Sequence, residues 1–196
     1  MNYGSYSNER LIETIEELQL LNQQLLADNK KYLTANNKLL EALSDPDGLI
    51  KLRNIRNLVK HLTMEINRGL ILNEPLTIAL FDLDGFRKIN IAKGIIYSDM
   101  ILKEVAQIIQ SNVRDTDFIG RYAGEKFMII FSNTSESVAQ GISQRIQHAI
   151  QQHCMEAAIS LTVTCGIKQE TNESLEDLIK AADDNLSNAK KHNPGD

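Results

Sequence analysis

The apolar positions of residues 8–44 recur on a seven-residue period. Steps of four and three from Leu11 meet Ile15, Leu18, Asn22, Leu25, Asn29, Tyr32, Asn36, Leu39 and Leu43. With Leu11 at heptad position d, the d set is Leu11, Leu18, Leu25, Tyr32 and Leu39, and the a set is Ile15, Asn22, Asn29, Asn36 and Leu43. The stretch has no Gly or Pro, the first proline being Pro46. This spacing predicts a coiled-coil helix, roughly 50 Å long at about 1.5 Å per residue. Successive Asn residues at a positions fix register and strand number by pairing across a parallel dimer, at a cost in stability. The expected assembly is a parallel homodimer through residues 11–43, with a polar single helix lying on the next domain as the alternative. A DNA-binding zipper is excluded, because it needs a basic helix upstream and the ten residues before Leu11 are mostly uncharged.

Ser44-Asp45-Pro46-Asp47-Gly48 is a cluster of turn formers that ends the coil. The expected domains are therefore 1–44, a coiled-coil dimerisation helix, and 45–196. Leu52, Ile55, Leu58, Val59, Leu62 and Ile66 then follow helical spacing and predict a helix over 49–68. His61 falls beside that stripe, at an expected solvated or edge position. Asn73-Glu74-Pro75 closes the connection, and residues 76–83 read as a buried strand with carboxylates at its exit. A helix is expected over 97–113 and a hairpin from 117–122 and 126–131, turning through Ala123-Gly124. Residues 135–153 are amphipathic and helical, and 159–168 alternate as a strand. A last helix covers 174–191, with Ser174 placed as its cap. The order predicts an α/β fold of the α+β sandwich kind: a mixed sheet flanked by helices, preceded by the coil.

Composition adds exclusions. Hydrophobic residues make up 42% and charged residues 24% of the 196, as in ordinary globular chains. A formal charge of -5 gives no basic face for coating nucleic acid. No apolar run is long enough to span a bilayer, and the N-terminus lacks the charged and apolar regions of a signal peptide. No membrane association and a cytoplasmic location are the expectations. Cys154 and Cys165 form no metal or redox motif, and Cys165 is placed in a strand as a buried apolar residue. His61, His148, His153 and His192 have no partner Cys or carboxylate at a ligand spacing.

Candidate chemistry rests on carboxylates. Asp82 and Asp84 lie at the exit of a buried strand, and Glu125 lies beside the hairpin turn. If the first strand neighbours the hairpin, Asp82 and Glu125 converge. Such a pair suits Mg²⁺, which takes oxygen ligands and keeps substrate phosphates in its shell. Solvated carboxylates at strand ends are equally the ordinary finding.

Four stretches carry a resemblance. Residues 81–90, Phe-Asp-Leu-Asp-Gly-Phe-Arg-Lys-Ile-Asn, resemble the D-x-D-x-F-K-x-x-N motif of the GGDEF-type diguanylate cyclases. Arg121-Tyr122-Ala123-Gly124-Glu125-Lys126-Phe127 resembles that family's R-Y-G-G-[DE]-E-F hairpin. Ala182-Asp183 and Ala189-Lys190 resemble its terminal helix, and Arg114-Asp115-Thr116-Asp117 its R-x-x-D inhibitory site, with five residues between it and Ala123. The resemblance covers residues 45–193. It implies catalysis and metal holding by Asp82 and Glu125, with the carbonyl of Leu83, and Mg²⁺ as cofactor if the chain is active. It further implies guanine contacts from Asn90 and Asp99, phosphate contacts from Arg87 and Lys190, and a product site at Arg114 and Asp117. The family condenses two GTP into cyclic di-GMP, one GTP per protomer, so a dimer is part of its mechanism and the coil would supply it.

The chain departs from that pattern in several places. The altered signature is Ala123, Gly124, Lys126 and Phe127 around Glu125: the first glycine is Ala123, and the acidic fourth position is Lys126, a cation that competes with Mg²⁺. The N-D-x-x-G-H-x-x-G-D run keeps Asn90 and Asp99 but has Ile91 for Asp, Ile95 for His and Ser98 for the second Gly. The opening D-x-L-T-G-L-x-N-R motif is shortened, and Asn193-Pro194-Gly195 replaces a terminal G-R-N. The resulting expectation is a degenerate GGDEF signalling protein that binds GTP or cyclic di-GMP with weak or no cyclase activity. An active cyclase and a purely structural coiled-coil module are the alternatives. Any protein partner and input signal stay unassigned.

Overall fold

The structure is a computed structural model of the whole chain and describes residues 5–43 and 52–192. The turn cluster and shortened opening motif expected over 44–51, and the tail Asn193-Pro194-Gly195, lie outside the described residues. The chain divides into two compact units, Met1–Ser44 and Asp45–Asp196.

The first unit is one helix, α1 (Ser5–Leu43). Residues without Gly or Pro over this length carry no helix breaker. Its apolar side chains Ile15, Leu18 and Leu25, on the heptad seam, are about half exposed or more, as are Ile12, Leu21 and Leu26. The side chains of Leu11, Tyr32, Asn36, Leu39 and Leu43 lie outside the described residues.

The second unit runs α2 (Ile55–Leu72), β1 (Thr77–Asp84), α3 (Phe86–Lys93), α4 (Ile95–Ser111), β2 (Phe118–Ala123), β3 (Lys126–Phe131), α5 (Glu136–Glu156), β4 (Thr162–Gln169) and α6 (Leu175–His192). The four strands lie in the order β2-β3-β1-β4, every neighbouring pair antiparallel. The mixed character expected of the sheet is confined, among the described residues, to one parallel bridge between Arg53 and Gly120. Here the entering chain adds itself to the edge of β2, and the backbone N–H of Arg121 donates to the Arg53 carbonyl at 2.9 Å.

Strand alternation divides the core in two. Ala79, Phe81, Leu83, Phe127, Ile129 and Phe131 face a layer containing Ile101, Leu102, Ile109, Ile146 and Ile150. Ile78, Leu80, Met128 and Ile130 face Leu58, Leu62, Leu178, Ala182 and Leu186 on α2 and α6. Asp82 and Lys126 continue this second alternation, which points them toward α6. Gly166 sets how closely α6 approaches. A Cβ there would meet the carbonyl of Ala182 and the N of Leu186, both at 2.3 Å, so only a hydrogen lets the helix lie on β4.

Several expectations meet a different local structure. The motif stretch 84–96, to which the pattern assigns no helix or strand, contains the short helix α3. The hairpin turn is Gly124-Glu125, since Ala123 is the last residue of β2 and pairs with Lys126. His61, expected to be solvated or at an edge, is half-buried, stacked on Phe118 of the edge strand β2 with centroids 3.8 Å apart, and burial lowers its pKa despite the nearby Glu65. His153 has a carboxylate partner after all: its Nε2 lies 3.0 Å from Glu104 on the neighbouring α4. Cys165 lies in β4 packed against the first core, its thiol pushed by burial to about 12. Ser174 caps α6 as its sequence indicates: its hydroxyl accepts the Asp177 N–H at 3.1 Å and donates to the Asp177 carboxylate at 2.7 Å.

Candidate functional site

The exit of β1 is held between β3 and β4, which brings acidic and basic side chains onto one patch beneath α6. Asp82 stands opposite Lys126 of β3 and Thr164 of β4. Asp183 and Lys190 of α6 are seven residues apart, two helical turns, and so share a face. Leu186 lies between them and is buried. The tight seating of α6 at Gly166 thus aims both polar groups at the strand ends.

Two ammonium groups occupy this patch. Lys190 Nζ lies 3.1 Å from Asp82 Oδ2 and 2.8 Å from Asp84 Oδ1. Lys126 Nζ lies 2.8 Å from Asp183 Oδ1 and 3.9 Å from the same Oδ2 of Asp82. The other oxygen of Asp84 accepts from the hydroxyls of Thr164 at 2.5 Å and Thr162 at 3.4 Å. Burial raises the Asp82 pKa above its ordinary value; Lys190 and Lys126 oppose the shift, and Glu125 adds to it. Burial alone would lower the Lys190 pKa, but its bonds to Asp84 and Asp82 outweigh that and the net shift is upward.

Glu125 lies in the turn next to Lys126, the strand neighbour of Asp82, and its charge adds to the upward shift of the Asp82 pKa. Leu83 lies between the two aspartates, its side chain in the opposite core and its backbone in register with Val163. Mg²⁺ demands a near-octahedral shell of oxygens. The arrangement does not fit such an ion. Asp82 Oδ2 faces both ammonium groups, and both oxygens of Asp84 are engaged. Among the described residues, no three His, Cys, Asp or Glu side chains are placed to hold a metal.

Ala123 has no left-handed backbone to strain it. The positive φ of the turn falls on Gly124, at 50°. Arg121 Nε donates to the Gly124 carbonyl at 2.6 Å and closes the hairpin. Phe127 is buried in the core.

The expected guanine contacts, Asn90 and Asp99, lie at the end of α3 and the start of α4. Between them sits the buried Ser98, whose hydroxyl shares its proton between Asn90 Oδ1 at 3.3 Å and the Gly94 carbonyl at 3.1 Å. Arg87 is exposed on α3. Arg114 and Asp117 form a self-contained turn before β2. Asp117 Oδ2 accepts the Arg114 backbone N–H at 2.9 Å, and the Asp117 N–H donates to the Arg114 carbonyl at 3.0 Å. Burial raises the Asp117 pKa, against the bond from Arg114, and Asp117 Oδ1 is buried without a hydrogen-bond partner.

Thr164 and Thr162 are site residues that sequence reasoning missed, and Ser98 and Asp183 stand in the sequence only as members of motifs. The spacing of Asp183 and Lys190 on one helix face was the available signal. The threonines depend on the pairing of β4 with β1, which no local pattern displays.

Comparisons with known proteins agree with this architecture. The family profile described as "Diguanylate cyclase, GGDEF domain" matches residues 44–195. Diguanylate cyclase A of Treponema denticola is 32% identical over 140 residues, covering 69% of this chain and 38% of the relative. The response regulator PleD of Caulobacter vibrioides is 31% identical over 166 residues, covering 81% and 37%. The chain thus spans under two fifths of the length of these relatives. Among solved structures, the active GGEEF domain of a diguanylate cyclase from Vibrio cholerae superposes with a TM-score of 0.65 at 26% identity, covering 71% of this chain and 91% of that one. The coiled coil and GGDEF domain of DgcB from Caulobacter crescentus, solved with c-di-GMP, has the same fold, with a TM-score of 0.69 at 20% identity and 94% of each chain covered. The strand order, the hairpin signature and the profile match agree that this chain belongs to the GGDEF diguanylate cyclase family of cyclic di-GMP signalling.

Proposed function

We propose that this chain is a nucleotide-binding GGDEF protein, taking GTP or cyclic di-GMP with weak or no cyclase activity. The observation that carries this reading is the placement of Lys126. The family's signature has an acid at that position; here an ammonium stands 3.9 Å from Asp82 and bonds Asp183. A metal held by Asp82 and Glu125 would face this cation directly. Magnesium is the cofactor that diguanylate cyclases of the family generally use, and in this chain it would have to displace Lys126.

Nucleotide binding is supported by what remains. Asn90 and Asp99 stand at neighbouring helix ends, Lys190 reaches the end of β1, and Arg114 projects from an intact turn. Dimerisation through residues 11–43 is part of the same reading. Its support is the heptad seam of α1, where Ile15, Leu18 and Leu25 are exposed.

Titration calorimetry tests the binding. The native chain is expected to bind GTP or cyclic di-GMP. Binding of cyclic di-GMP is expected to be lost in Arg114→Ala, whose exposed side chain can be removed without disturbing the core. Binding of neither nucleotide by the native chain would end this reading.

A further inference from the structure

Lys126 changes the charge of the β1 exit by a definite amount. Replacing an acid by a lysine adds two positive charges, the charge of one divalent ion. The ammonium is also well placed for the exchange. It approaches the Asp82 oxygen that Lys190 binds, at 3.9 Å against 3.1 Å, and it is anchored to Asp183 on α6 at 2.8 Å. We propose that Lys126 is a tethered cation standing in place of the divalent metal, so that this site takes the phosphates of GTP without a metal ion. The inference rests on the nucleotide-binding reading above and concerns how that same site is served.

An ammonium has three N–H donors. Lys190 bonds Asp82 and Asp84, and Lys126 bonds Asp183 and, more distantly, faces Asp82. Among the described residues, each therefore keeps a donor for a phosphate oxygen. Both side chains are partly exposed, 31% for Lys126 and 37% for Lys190, so an incoming anion can reach them. Asp183 is 45% exposed and can return to water when Lys126 turns to phosphate. A lysine is a point charge on a flexible stem and binds phosphate without fixed geometry. It does not offer the ordered shell by which magnesium aligns an attacking hydroxyl and a leaving group. Binding without turnover is the chemical consequence.

The test measures GTP binding in excess EDTA and in excess Mg²⁺, for the native chain, Lys126→Glu and Lys126→Met. A second arm follows Mn²⁺ uptake without nucleotide, by the loss of the free-ion electron paramagnetic resonance signal. Native affinity for GTP is expected to be nearly the same in both buffers. Lys126→Glu is expected to weaken about tenfold or more in EDTA and to recover in Mg²⁺, and Lys126→Met, which keeps the stem, to weaken similarly in EDTA. The native chain should leave Mn²⁺ free while Lys126→Glu takes it up. Native binding of GTP only with Mg²⁺, or Mn²⁺ uptake by the native chain equal to that of Lys126→Glu, would overturn this inference and leave the nucleotide-binding reading standing. Binding of cyclic di-GMP with no GTP binding in either buffer would also overturn it alone. Binding of neither nucleotide would remove both.

Discussion

The β1 exit and the Arg114–Asp117 turn both keep the residues that mark the family, yet the fold treats them in opposite ways. At the β1 exit, Asp82 and Asp84 are drawn into contacts from three other elements: Lys126 of β3, Thr164 of β4 and Lys190 of α6. At the turn, among the described residues, Asp117 bonds only the backbone three residues back, and the Arg114 side chain stays exposed. A motif assembled across the sheet is therefore open to rewiring by one distant substitution. A motif closed within four residues keeps its shape whatever the sheet does. Survival of motif letters means different things in the two places.

The comparison can be broken most forcefully at Gly166. In Gly166→Ala the added methyl forces α6 off β4, because two backbone atoms stand 2.3 Å away. We expect a loss of about 1–3 kcal/mol in urea unfolding, in line with overpacking of a tight contact. Lys190 and Asp183 would move with the helix. GTP binding should weaken, while cyclic di-GMP binding through Arg114 should hold. Equal loss of both would show that the two regions are coupled.

The smaller effect concerns Asp117. Its folded pKa is raised above the ordinary 3.8, chiefly by burial, so the charged form is the disfavoured one in the fold. The associated stability is present below 3.8 and is lost as the pH rises through the folded value. Asp117→Asn keeps an acceptor for the Arg114 N–H and removes the charge. The variant is expected to melt at or slightly above the native temperature at pH 7. That difference should shrink to nothing as the pH falls below the ordinary value. A variant clearly less stable at pH 7 would mean that the charge itself holds the turn.

Legibility in the sequence follows the same division. The strand 126–131 is legible with its observed bounds, because Phe127, Met128, Ile129, Ile130 and Phe131 form one apolar run. Helix α6 and its Ser174 cap were also local and were read directly. Helix α3 was not: it has eight residues, only Phe86 is buried, and Ile91 is 77% exposed, so no apolar stripe announces it. The convergence of Asp82 and Glu125 required β1 to lie beside the hairpin, and it does. The partners that decide the chemistry there were out of reach. Asp183 is 57 residues from Lys126, and Thr164 is 80 from Asp84. The Glu104–His153 pair hid for the same reason, its members 49 residues apart on packed helices. Charge at Lys126 was visible from the letters; where that charge goes was a property of the fold.

Lys126 at the β1 exit is proposed to leave nucleotide binding in place of catalysis. Cyclic di-GMP formation from GTP and Mg²⁺ by the native chain, measured beside Glu125→Ala, tests it most directly. The account predicts that the native chain stays at or close to the Glu125→Ala background. Sustained synthesis well above that background would contradict it.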